Sequence, residues 1–434
     1  MDKMADVLGR AGAWCGQNKY LSAIKNAFQN FMPLTIAGAI GVLWCNVLVN
    51  DQTGLGLFFK PIMALDFLNP AFQAVNFCTI SCITVGITLG IAQEIGVWNM
   101  GAERAGYIPG LVGLAAWLSV TNTSHMVEGA KEAFTGIAGN ELGATGLFTG
   151  MIIGVLSVEL FCFFEKQDAL KIKMPEQVPP GVARAFEVLV PATITLIITA
   201  CIGSACYNLT GLYLNDVIKN GIQGPLGAVG ATIPGVMIIY LVIMLFWLVG
   251  IHGNNMLSAV KEALFTPLAL ENVEAFNKGE TPKNIINMYA LQMWGEFGGS
   301  GVTIGLVIAI MIFGKREDNK AIATLSLVPG LFNINETVTF GIPMVLNPIL
   351  GIPFVFACLV TILVGYVLTV IGFCPVACLT VPWTTPPIVF GFLACGANVM
   401  GAVTQAILIV VSTVIYTPFL ISYEKYQNKQ AAEA

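Results

Sequence analysis

The sequence predicts an all-α polytopic membrane protein with about ten transmembrane helices and one or two re-entrant hairpins. Three observations carry that prediction. Of 434 residues, 56% are hydrophobic and only 10% charged, with a mean hydropathy of +0.79, whereas a soluble domain carries about 25% charged residues. Apolar runs of spanning length, about 17–25 residues, recur along the whole chain. Finally, Glu336 lies in the stretch GLFNINETVTFGIPMVLNP (residues 330–348), between such runs. An ionisable group at membrane depth is expensive and persists mainly where it faces a cavity and acts.

The clearest apolar runs are 31–49, 72–91, 106–120, 142–164, 188–206, 232–251, 299–313, 354–372 and 398–420. Stretches at 321–332, 338–352 and 387–397 are too short, or too broken by Gly and Pro, to assign individually. Ahead of the first run, Met4, Val7, Leu8, Ala11 and Trp14 recur at helical spacing. They read either as an amphipathic helix on the membrane surface or as a plain cytoplasmic lead-in. No apolar core follows the early basic residues, so a cleavable signal peptide is not expected.

Loop charges predict the orientation. Lys3, Arg10, Lys19, Lys25, Arg104, Lys166, Lys171, Lys173 and Arg184 fall on one side of five crossings, against Lys60, Lys131 and Lys219 on the other. Both termini are expected in the cytoplasm, at the bacterial inner membrane. The organisation expected is an N-terminal scaffold half (1–206), a linker (207–231) and a C-terminal half (232–434) that gathers the intramembrane polar clusters. Residues 261–284, mixed in charge and containing two prolines, read as a hydrophilic loop.

Several function classes drop out. A net charge of −5 and the absence of charge runs give no reason to expect a nucleic-acid partner. The eleven cysteines lie mostly in apolar runs, and pairs such as Cys78/Cys82 and Cys374/Cys378 are expected on one helix face with no histidine nearby. They read as apolar fillers, with no disulfide, metal or cofactor expected. Neither an HExxH zinc pair nor a nucleophile elbow is present, which argues against a membrane hydrolase.

Around Glu336 stand Asn333, Asn335, Thr337 and Thr339, with Gly330, Gly341 and Pro343 interrupting regular helix. Broken backbone at membrane depth survives only where it lines a protected site. Three further clusters join it: His252, Gly253, Asn254 and Asn255 in WLVGIHGNNML, Glu296 in QMWGEFGGSGVTIG, and Trp383 and Thr384 in VPWTTPPIVFG. Carboxylates and amides suit the paired hydroxyls of a sugar, and an indole face suits its C–H face. Each also has a plainer reading. His252 can be structural, Glu296 can pair with a Lys or Arg, and Trp383 can be an interfacial anchor. Asn254, Asn255 and Asn335 can satisfy broken backbone. His125, in a charged loop, is expected to be solvated and is assigned no role.

FNINETVTFGIPMVLNP (332–348), with GIHGNN, GGSGVTIGL and PWTTPP, resembles the lactose/cellobiose/diacetylchitobiose family of phosphotransferase-system sugar permeases, the membrane-embedded IIC components. The resemblance covers almost the full chain. Thr337 departs from it, standing where the family usually has proline. The chain's length is more similar to the stand-alone permeases than to members with a fused IIB domain. The resemblance implies ten spans, two re-entrant hairpins, a homodimer built mainly by the N-terminal half, and a disaccharide site in the C-terminal half. It also implies that His252 and Glu336 sit near the sugar's 6-hydroxyl. A separate IIB protein, charged through IIA, then phosphorylates that hydroxyl from a phosphocysteine. The permease is not catalytically complete without those partners. On this reading Glu336 accepts the hydroxyl proton as general base, and His252 orients or shares it. A proton-coupled sugar symporter using the same glutamate is the alternative.

Overall fold

The computed structural model describes residues 14, 17–51, 55–125, 134–175, 177–225, 230–342, 344 and 347–433. The amphipathic segment expected before residue 17 lies outside the described residues, apart from an exposed Trp14. The chain divides into two compact units. One comprises Gln17–Gly38 with Gln73–Gly227, and the other Ala39–Phe72 with Ala228–Ala434.

In the first unit the apolar runs become helices, the only open-chain structure that satisfies its own backbone in hydrocarbon. They are α1 (Lys19–Leu43), whose start belongs to this unit, α2 (Ile83–Met100), α3 (Ile108–Val120), α4 (Ala144–Glu165) and α5 (Pro180–Thr210). Helices α2, α3 and α4 pack on one another, and α5 packs on α3 and α4. Small residues allow this. Gly150 and Gly154 of α4 lie against Thr88 of α2, and a Cβ at Gly150 would overlap the Thr88 hydroxyl, as in small-residue packing between membrane helices. Thr84, Thr88, Thr149 and Ser157 are buried while Leu156, Ile197 and Ile202 are exposed. That inside-out pattern suits a lipid surrounding.

At the end of α4, Glu165 accepts hydrogen bonds from Arg104 Nε and Arg184, each at 2.9 Å. Glu187 takes a second contact from both arginines. His125 pairs with Phe134 in a two-residue antiparallel ribbon, its ring 5.6 Å from the phenyl.

The second unit contains α6 (Ile233–Leu248), α7 (Ser258–Asn277), α8 (Met288–Gly295), α9 (Ile304–Phe313), α10 (Glu317–Leu331), α11 (Gly351–Val370) and α12 (Val399–Glu433). Short helices Gly253–Met256, Glu336–Gly341 and Val389–Ala394 stand in its irregular stretches. Helices α9 and α11 pack along α12, while α6 and α8 pack on α11. Across the described residues, Lys19–Leu48, Ala144–Glu165, Pro180–Thr210, Gly351–Val370 and Val399–Glu433 are long and apolar enough to cross a bilayer. Ile108–Val120, Ile233–Leu248 and Ile304–Phe313 are apolar but shorter.

Two expectations are corrected. The 261–284 stretch is not a loop, since Ser258–Asn277 is helical with Pro267 inside it. Its buried positions Lys261, Phe265, Ala269 and Val273 recur every four residues, a stripe that the surrounding charges disguise. Cys374 and Cys378 do not share a helix face either, because residues 371–388 contain no regular helix.

Candidate functional site

The irregular stretches of the second unit meet at one glycine turn. Between α8 and α9 the backbone takes positive φ at Gly298 (68°), Gly299 (87°), Gly301 (77°) and Val302 (50°). A Cβ at Gly299 would stand 2.6 Å from that of Asn335. Glycine is therefore required there for conformation and for close approach. The turn's polar atoms are satisfied by side chains, as buried backbone requires. Tyr416 donates to the Gly301 carbonyl at 2.7 Å, and Thr303 donates to the Gly298 carbonyl at 2.6 Å. Asn335 donates to the Ser300 carbonyl at 2.9 Å and to Thr339 at 3.1 Å. Asn254 donates to Ser300 Oγ at 2.9 Å, leaving its own Oδ1 buried without a partner.

Asn333 fastens a third stretch to the same turn. Its Oδ1 accepts from the Gly298 N–H at 2.7 Å, and its amide donates to the carbonyls of Trp383 and Thr385. It does so from a left-handed backbone, φ 62°, a conformation that asparagine tolerates better than most residues. The Trp383 side chain is left exposed. Thr384, partly buried, lies in a turn closed by the Thr385 N–H on the Pro382 carbonyl at 2.9 Å.

His252 and Glu336 face each other beside this turn. His252 precedes the helix Gly253–Met256, and its Nδ1 accepts the Asn255 N–H at 3.2 Å. An accepting Nδ1 leaves Nε2 to carry the proton in the neutral ring. Nε2 stands 3.8 Å from Glu336 Oε1, with the two side chains 36% and 46% exposed. That is too long for a direct hydrogen bond, and it leaves room for an oxygen that bonds to both. Trp247 packs against the imidazole, ring centroids 4.4 Å apart. Gly253 is buried where a Cβ would strike the Ile243 carbonyl. Asn255 is exposed. No Lys or Arg pairs with Glu336 among the described residues.

Glu296 is held differently. Its Oε1 accepts from Tyr240 Oη at 2.7 Å and forms a close ion pair with Lys261, itself 5% exposed. The structure thus gathers His252, Gly253, Asn254, Asn335, Glu296 and Glu336 around one turn, and links Trp383 and Thr384 to it through Asn333. Asn335 and Asn254 direct their amides at the turn. Lys261, Tyr240 and Ser300 were not foreseen, and Asn333 was noted only as a neighbour of Glu336. The four-residue spacing of buried positions in α7 was the signal that could have exposed Lys261.

A profile of the family described as "Phosphotransferase system, EIIC" matches residues 25–358. The chain belongs to that family. Among EIIC relatives, the oligo-beta-mannoside-specific component of Bacillus subtilis is 33% identical over 98% of this chain and 94% of its own length. The cellobiose-specific EIIC component of Lactococcus lactis is 29% identical, covering 98% of both chains. Among solved structures, the transporter ChbC, the IIC component of an N,N'-diacetylchitobiose-specific phosphotransferase system, superposes with a TM-score of 0.88 at 29% identity, covering 97% of each chain. This EIIC protein is accordingly a multi-pass membrane sugar permease of the bacterial phosphotransferase system.

Proposed function

We propose that this permease binds a β-linked disaccharide (cellobiose, diacetylchitobiose or another β-glucoside) and holds its 6-hydroxyl between His252 and Glu336. The observation that carries this is the 3.8 Å gap between Nε2 and Oε1. A hydroxyl oxygen there accepts from Nε2 and donates to the carboxylate, each at about 2.8 Å. A phosphocysteine on a separate IIB protein, recharged by IIA, supplies the phosphoryl group. The sugar oxygen forms the new P–O bond, the S–P bond breaks, and the cysteine leaves as thiolate. Glu336 takes the hydroxyl proton and later releases it to solvent or to the thiolate.

The product carries about 1.5–2 more negative charges, which the Glu336 carboxylate repels and lipid excludes. Transport is thereby made one-way. Residues 1–206 form the scaffold of a homodimer with both termini cytoplasmic, and residues 232–434 move as a body to expose the site. Engineered disulfides that lock the two halves together are expected to stop transport while leaving sugar binding.

Proteoliposomes containing the purified protein test the reading. With phosphorylated IIB supplied, the expected product is a 6-phosphosugar. Accumulation of unmodified sugar driven by a proton gradient, without IIB, would instead establish a symporter.

A further inference from the structure

An ion pair at the head of the glycine turn ties Glu296 to α6 and α7. Lys261 of α7 and Tyr240 of α6 both bond to the same carboxylate oxygen, Oε1 of Glu296. The lysine also lies over the Tyr240 ring, 5.5 Å from its centroid. Among the described residues no donor is bonded to Oε2. Glu296 keeps 16% side-chain exposure although Gly295 and residues 297–305 are buried around it. The residues around Glu296 therefore do not fully seal its side chain. The same turn is bonded through Ser300 to Asn254, two residues from His252.

We propose that Lys261 is a positioning residue for sugar recognition, fixing Glu296 so that Oε2 accepts a hydroxyl of the disaccharide. This rests on the disaccharide reading above. The two donors on Oε1, Lys261 and Tyr240, fix the carboxylate and leave Oε2 as its remaining acceptor. The titratable groups facing Glu296 are Lys261 and Glu262 on α7, Tyr240 on α6, Cys358 on α11, and His252.

The test is titration calorimetry of purified protein with cellobiose and with diacetylchitobiose, between about pH 6 and pH 9. Wild type is expected to bind one probe or both with little pH dependence. Lys261→Met is expected to weaken binding about 10- to 100-fold near neutral pH. Lys261→Arg retains most of the affinity. Because Lys261→Met strands a charge inside the protein and can unfold it, the neutral pair Lys261→Met/Glu296→Gln is measured beside Glu296→Gln alone. Equal binding by those two supports positioning through Glu296, and multiplied losses overturn it. Wild-type affinity in Lys261→Met also overturns it and leaves the disaccharide reading standing. If wild type binds neither probe, the disaccharide reading itself fails, and this inference with it.

Discussion

The side-chain amide of Asn333 donates to the main-chain carbonyl of Trp383 at 2.5 Å. Fifty residues separate them, and the bond fixes the Trp383 backbone relative to the turn that carries Glu296. With its bonds to Gly298 and Thr385, Asn333 aligns three irregular stretches.

Removing that clamp should weaken sugar binding without touching the reacting groups. Asn333→Ala strands a buried N–H and two carbonyls, at about 1–3 kcal/mol each where water cannot replace the bond. Affinity should fall at least about tenfold. Asn333→Gly accommodates the positive φ but lacks the amide, so it should bind no better than Ala. Glycine at wild-type affinity would show that only the backbone conformation matters.

Gly299→Ala tests the turn itself. The new Cβ meets Asn335 while the backbone stays left-handed. The expected cost is about 2–4 kcal/mol, read as a lower thermal midpoint in detergent. Sugar binding should weaken with it.

His252 has two separable tasks. His252→Asn keeps a short acceptor for the Asn255 N–H but removes the donor facing Glu336. Phosphoryl transfer should fall about 10²-fold, with the thermal midpoint shifted by about one degree or less, corresponding to about 0.5 kcal/mol or less. Equal loss of stability and transfer would assign His252 a structural role alone.

The Glu165 cluster gives a contrasting prediction. Glu165→Ala removes the acceptor shared by Arg104 and Arg184. Arg104 is 48% exposed and both arginines retain Glu187, so solvent and the second carboxylate limit the penalty to about 1–3 kcal/mol. Thermal stability should drop while disaccharide affinity in the other unit stays the same.

Much of this arrangement was legible in the sequence. Gly351–Val370 follows from its apolar run, and the irregular 381–388 stretch from its prolines. His252 and Glu336 stand out because polar groups are rare in such surroundings. Their separation is not legible, because it depends on how two short helices are hung from a turn between them. Lys261 was hidden for a related reason. Its partner lies 35 residues away, and the charges around it made a buried helix read as a loop. The fate of Asn335 was also open, since an amide near a site and an amide holding a broken backbone look alike until the Ser300 carbonyl is placed.

Transfer from phosphorylated IIB to cellobiose or diacetylchitobiose, measured in Glu336→Gln alongside binding of the same sugar, is the most direct check on the central claim. Glutamine keeps the shape and the hydrogen bond but takes no proton. Binding should remain within about tenfold of wild type while transfer drops about 10²–10⁴-fold. Transfer at the wild-type rate in that variant would contradict a base at Glu336.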